Sequence, residues 1–386
     1  MTTLSARKVS TLMSELNQQE TYLRSNKIEA LDSIRGLAAF LIVLFHLPKF
    51  NPILNIGFVD NGYLMVELFF VVSGFVIFNA YSDRIKTKTD LLRFQFLRVG
   101  RVYPVHLVFL IVFVLIELAK FFSQQNFDVE IKSPAFSVNS VTAMIEQVLL
   151  IHAIGPTNNA ITFNYPAWSI SVELYTYLIF GVVILLSNKK KNLWFVLIAL
   201  TSIVLLALQK TFGFDYLLRC LAGFFVGCFT AAIITKSTIK IPKYASLIVF
   251  ACIVIFLQLK TAKHYDLFIY PLTSFLIASL VIAKEGYLNK VLDIKVFTWL
   301  GAVSYSVYMS HAFVIWVFEQ IIKRIFKIAT PSSSTEGLMP QLSAFETLLI
   351  CAAILAAVLI LSSFVYRFIE KPMREESRRL AFSKIN

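Results

Sequence analysis

Residues 31–47 read LDSIRGLAAFLIVLFHL, an apolar run long enough to enter a bilayer as helix, yet Asp32, Arg35 and His46 lie inside it. Charge at that depth is costly, so a functional role is the first reading for these side chains. Arg35 and His46 are eleven residues apart, which on a helix separates them by roughly 16 Å of depth. That spacing reaches across the membrane and does not make a local pair.

The rest of the chain is of the same kind. Of 386 residues, 58% are hydrophobic and only 15% charged, with a mean hydropathy of +0.73, which places the chain among all-α polytopic membrane proteins. Apolar runs predict about ten transmembrane helices, near 30–48, 62–81, 102–121, 168–187, 192–209, 216–235, 244–260, 266–283, 297–321 and 345–368. The stretch 141–154 is short for a span and carries Glu146 and His152, so it is expected at the membrane surface. The first run follows a polar segment with Arg7, Lys8, Glu15, Glu20, Arg24 and Lys27, without a small-residue cleavage site close behind. A retained helix is therefore expected, and not a signal peptide. Cys220, Cys228, Cys252 and Cys351 all fall in apolar runs without metal-ligand spacing, as free buried thiols would.

Basic residues set the expected orientation. A cytoplasmic N-terminus puts about 25 Lys and Arg inside against about 9 outside, and ten spans return the C-terminus to the cytoplasm. The net charge of +13 is then mostly topology and anionic lipid, and a nucleic-acid partner is disfavoured. The expected organisation is a cytoplasmic tail over 1–29, one membrane domain over 30–369 and a basic cytoplasmic tail over 370–386, where Pro372 turns the chain away from the last span and along the lipid surface.

In that frame the polar residues fall into two layers. Asp32 and Arg35 share the cytoplasmic side with RFQFLRVGRVYP, in which Arg98 and Arg101 are three apart and on a helix would share a face able to clamp phosphate. The plainer reading of those arginines is positive-inside anchoring, and of Asp32 a helix N-terminal or ion-pairing residue. By residue counting, His46, Glu67, Glu173 and His311 fall in the outer half. Two imidazoles and two carboxylates at one depth suit proton transfer, a carboxylate orienting the base. Against that, His311 could be a packed core histidine, and Glu67 and Glu173 partners of a buried cation such as Arg219. Trp168 and Tyr175 flank Glu173, where an aromatic face could meet a sugar ring or simply join the interfacial belt. Gly74 and Gly301 read as points of close helix approach.

Six segments, EALDSIRGLAAFLIVLFHL, GYLMVELFFVVSGFVIF, FLRVGRVYPVHL, YPAWSISVELYTY, SYSVYMSHAFVIW and YRFIEKP, follow one another in that order. On these the chain resembles the membrane-bound acyltransferase family 3. The likeness implies a carbohydrate O-acyltransferase of the stand-alone type in the bacterial inner membrane, using cytoplasmic acetyl-CoA or another acyl-CoA and an extracytoplasmic hydroxyl, with no metal. It also implies His46 as catalytic histidine with Arg35 as its motif partner, and Arg98 and Arg101 at the acyl donor. Glu67 stands where the family usually has Asp, His106 where Tyr is frequent, and Ser310 where Trp commonly precedes the later His. The rival expectation is a proton-coupled transporter, which buried His and carboxylates also suit, although no duplicated halves with broken helices occur.

Overall fold

The computed structural model describes residues 29–126, 134–157, 159–234, 239–283, 285–325 and 342–383. The N-terminal residues Arg7, Lys8, Glu15, Glu20, Arg24 and Lys27 lie outside them. The described residues are all-helical: α1 (Glu29–His46), α2 (Met65–Tyr81), α3 (Lys88–Asn126), α4 (Val141–Leu149), α5 (Ala167–Ser187), α6 (Lys191–Ala207), α7 (Asp215–Ile234), α8 (Ala245–Leu259), α9 (Ile269–Ile282), α10 (Tyr287–Leu292), α11 (Lys295–Ile325), α12 (Ala344–Val365) and α13 (Lys371–Ser383).

Seven helical stretches among them are long and apolar enough to cross a membrane: Gly62–Tyr81, Lys88–Asn126, Ala167–Ser187, Asp215–Ile234, Lys263–Ile282, Lys295–Ile322 and Ala344–Ser383. α6 and α8 are shorter apolar helices. α1 has 18 residues but carries Glu29, Asp32 and Arg35. The ten expected spans fall on these ten helical stretches. The stretch near 141–154 forms only the nine-residue α4, capped by Ser140 at its start and by left-handed Leu150 at its end.

Two elements run further than the apolar pattern implies. α3 begins at Lys88, so the basic segment around Arg98 and Arg101 is helical and continuous with the span, passing through Pro104. Beyond α12, a five-residue π-turn (Tyr366–Glu370) leads directly into α13. Pro372 does not break the chain away there. It is the second residue of α13, and the wider π-turn immediately before it accommodates a ring without an N–H inside a continuous helical stretch.

Contacts fix the directions of the helices. Gly36 meets Gly301 and His46 meets His311, so α1 and α11 run parallel. Glu67 pairs with Arg219 and Gly74 packs on Phe224, so α2 and α7 are parallel too. Gln95 bonds the Leu174 carbonyl while Leu91 reaches Gly181, an antiparallel α3–α5 pair. Ser306 bonds Glu370 and Ser310 bonds Ser362, which brings the chain at Glu370 back to the end of the bundle where α1 starts.

Small residues make these approaches possible, as expected where lipid gives no hydrophobic drive between helices. A Cβ on Gly36 would lie 2.6 Å from the Gly301 nitrogen, and one on Gly301 would lie 2.5 Å from the Asp32 carbonyl oxygen. A Cβ on Gly74 would collide with the Phe224 carbonyl. Outside, Ile111, Leu115, Phe121, Leu200, Ile255 and Phe275 are exposed, the surface a bilayer covers. Cys220, Cys228 and Cys351 are buried free thiols, but Cys252 is exposed, because α8 turns it to that outer apolar surface and not to the core.

Candidate functional site

α5 carries Ser169, Glu173 and Tyr177 at intervals of four, hence on one face. That face, with Arg35 of α1, Ser73 of α2, Arg101 of α3 and Tyr305 and Tyr308 of α11, lines a narrow, partly open cavity of about 70 Å³. Tyr177 donates its hydroxyl proton to Glu173 at 2.6 Å and meets Ser73 at 2.8 Å. Arg35 faces Asp32 only loosely, at 3.9 Å. Among the described residues, neither Arg98 nor Arg101 has a carboxylate within ion-pair distance. Arg98 instead donates to the Tyr81 hydroxyl at 3.2 Å, and its guanidinium lies over the Tyr81 and Phe94 rings. The cavity is therefore cationic on two walls and holds its one lining carboxylate in a bond to a phenol.

The second constellation is at the other end of the α1–α11 pair. The His46 and His311 ring centroids are 5.0 Å apart, and Tyr165 packs against both, at 4.9 and 5.7 Å. His46 Nδ1 lies 2.9 Å from the Ile42 carbonyl and His311 Nδ1 lies 2.6 Å from the Tyr308 carbonyl. A carbonyl oxygen only accepts, so each Nδ1 carries a proton, and in the neutral form of each ring the lone pair is on Nε2. The His311 Nε2 is buried without a partner. Tyr308 links the two constellations: it lines the cavity, and its ring packs on His311 at 5.8 Å. Its hydroxyl donates to the Pro166 carbonyl and accepts from Ser169.

The structure thus brings His46 and His311 together, and Arg35, Arg101 and Glu173 together, but does not unite the expected set. Glu173 lies in the guanidinium-lined cavity, because α5 descends about two turns between residues 167 and 173. Glu67 is buried against Arg219, whose Nε donates to it at 2.6 Å. Asp32 sits at the Arg35 end. Each imidazole finds its recorded hydrogen-bond partner in a backbone carbonyl of its own helix, not in one of these carboxylates.

Trp168, half-buried, has the Arg219 guanidinium 4.7 Å from its ring centroid and Tyr216 at the same distance, so it packs against the Glu67–Arg219 pair and not against Glu173. Tyr175 points to the opposite side of α5 and donates to the Leu149 carbonyl. His106 bonds the Gln147 carbonyl and stacks on His152; burial pushes the His152 imidazole down to about 3 and the neighbouring His106 adds to this, so His152 is a neutral packing group. Among the described residues no three His, Cys, Asp or Glu side chains converge as metal ligands. Tyr165 and Tyr308 were not singled out by the sequence, since a tyrosine in an aromatic-rich membrane chain carries no signal of its own. The one available cue was that each sits three residues from another polar residue of its segment, Trp168 and His311.

Residues 28–367 match the family described as acyltransferase domain. The chain is similar to peptidoglycan O-acetyltransferase OatA of Listeria monocytogenes, 23% identical over 90% of this chain and 56% of that protein. It is also similar to putative peptidoglycan O-acetyltransferase YrhL of Bacillus subtilis, 23% identical over 92% of this chain and 56% of that protein. Putative acetyltransferase ORF330 of Acidianus two-tailed virus is 24% identical over 76% of this chain and 85% of its own length. The chain thus spans little more than half the length of the two bacterial relatives. No solved structure matches it.

Proposed function

Because the chain belongs to this acyltransferase family, we propose that it transfers an acetyl group from cytoplasmic acetyl-CoA to a hydroxyl of an extracytoplasmic carbohydrate. The observation that carries this reading is the pairing, on one parallel helix pair, of an imidazole end with a cationic cavity about 16 Å of helix away. Phosphates of the donor would meet Arg98, Arg101 and Arg35. The pantetheine arm would run through the cavity past Glu173, Tyr177 and Tyr308, and the thioester would stop at the imidazoles. That arrangement needs no free acyl carrier outside. The names of the bacterial relatives support a carbohydrate acceptor.

His46 acts as the base in this scheme. Its Nδ1 proton is committed to the Ile42 carbonyl, leaving Nε2 to take the acceptor's hydroxyl proton. The alkoxide-like oxygen forms the ester bond to the thioester carbonyl carbon, the carbon–sulfur bond breaks, and the thiolate leaves with the proton returned by the imidazole. The bias of basic residues toward the Arg35 end, seen in Arg93, Lys189, Lys190, Lys191, Lys290 and Lys295, supports placing that end in the cytoplasm.

Proteoliposomes test this directly. Acetyl-CoA labelled in the acetyl group, supplied on the face with the arginines, should yield O-acetylated saccharide on the opposite face, and the His46→Ala protein should not. Movement of saccharide or proton without consumption of thioester would replace this reading with transport.

A further inference from the structure

α13 lies beyond the matched residues 28–367, yet it is docked on α3, the helix that carries Arg98 and Arg101. It runs antiparallel to the first half of α3: Ser377 occupies the space a side chain at Gly100 would need, and the Arg93 guanidinium lies 4.9 Å from the Phe382 ring centroid. This docking brings Arg374 and Arg378, one helical turn apart on α13, to the arginines of α3. Arg378 is within electrostatic reach of Arg374, Arg98 and Arg101. The neighbouring carboxylate is Glu370, which accepts a hydrogen bond from Ser306 at 2.7 Å and is shared electrostatically among Arg101, Arg374 and Arg35. Among the described residues Arg374 has no carboxylate within ion-pair distance. Both Arg98 Nε and Arg374 Nε are buried without a hydrogen-bond partner.

Guanidiniums repel one another, and a buried N–H without an acceptor loses its hydration for nothing. A helix that adds two more to an existing group, and buries one donor unmet, is stabilised by an anion rich in acceptor oxygens. Anchoring to lipid headgroups accounts for exposed basic side chains, as Arg378 is; it does not account for the Nε of Arg374, buried without an acceptor.

We propose that α13 forms the outer half of an organic-polyphosphate site, in which Arg374 and Arg378 hold the nucleotide phosphates of the thioester donor while Arg98 and Arg101 hold those nearer the cavity. This rests on the donor assignment made above, and the planar, forked geometry of arginine suits it.

The test uses the full chain in phosphatidylcholine nanodiscs, with acetyl-CoA and acetyl-pantetheine, which lacks the nucleotide, as alternative donors. Arg374→Gln/Arg378→Gln should raise KM for acetyl-CoA about 10-fold, leave kcat at saturation within about 2-fold and leave KM for acetyl-pantetheine unchanged. Calorimetric titration with CoA itself, which does not turn over, should show the same loss of affinity, and Arg374→Lys/Arg378→Lys should recover part of it. Equal KM values for wild type and the Gln variant, or equal rises for both donors, would overturn the proposal. So would a defect that appears only when phosphatidylglycerol is added, which would assign these side chains to lipid headgroups. Arg98→Gln separates the two levels of the argument. If it too leaves the acetyl-CoA KM unchanged, the donor reading itself fails; if it raises KM while the α13 variant does not, only the role of α13 fails.

Discussion

At one end of the α1–α11 pair two imidazoles touch, each anchored to a carbonyl of its own helix; at the other, guanidiniums gather, and among the described residues Arg98 and Arg101 have no carboxylate within ion-pair distance while Arg35 holds Asp32 only at 3.9 Å. The contrast separates two kinds of chemistry. The imidazole end offers ring nitrogens whose protons are held by backbone carbonyls. The guanidinium end offers N–H donors in excess of the carboxylates beside them, with Arg98 Nε buried without an acceptor. An enzyme joining a charged donor to an alcohol needs that division, with charge recognition kept away from the reacting carbonyl.

Kinetics can break the division. At saturating acetyl-CoA, His46→Gln should lower kcat by about 10²–10⁴-fold, the range of a lost general base, while CoA binding measured by calorimetry stays unchanged. A parallel loss of CoA affinity would mean that the two ends are one site. Arg101→Gln should do the converse, raising KM for acetyl-CoA about 10- to 100-fold, as for a lost hydrogen bond to a charged group, with kcat much less affected.

The contact that joins the ends sharpens the comparison further. Gly301→Val places side-chain atoms against the Asp32 carbonyl, and overpacking of this kind costs about 1–3 kcal/mol. A lower midpoint of thermal unfolding in detergent, together with reduced kcat, is expected; full stability would show that α1 and α11 can part there without penalty. The smallest effect belongs to a surface pair on the rim of the guanidinium end. The Lys191 ammonium, bonded to Asp83 at 2.8 Å in the loop after α2, holds that carboxyl below its ordinary range. A folded value depressed in this way contributes stability above the unfolded carboxylate range, which is lost as pH falls through the folded value. Since Asp83 is largely exposed, Asp83→Asn should change stability at neutral pH by less than about 1 kcal/mol and flatten its acid dependence slightly.

Length and hydropathy made the helices legible, because about 20 apolar residues have few other uses. The motif residues were legible for the opposite reason: Arg35 and His46 are conspicuous in an apolar run. What the sequence hid was lateral and vertical placement. Counting along separate spans put Glu173 level with His46, but helix starts and tilts decide depth, and only the bundle shows Glu173 beside Arg35. Glu67 was weighed as a catalytic carboxylate and as a cation's partner; the half-buried Arg219 next to it in space favours the second. The docking of α13 depended on Gly100, whose lack of a side chain says nothing until Ser377 arrives from 277 residues away.

The backbone-to-backbone touch of Gly36 and Gly301 pins the pair near its base. From that pin upward the two rods stay zipped: Ala39, Val43 and Leu47 share one buried cluster with Val303, Val307 and Val314, up to the level where His46 meets His311. The distance between the imidazoles and the guanidiniums is therefore set by rigid helix, and a residue inserted between positions 36 and 46 would swing His46 away from His311 by about 100°.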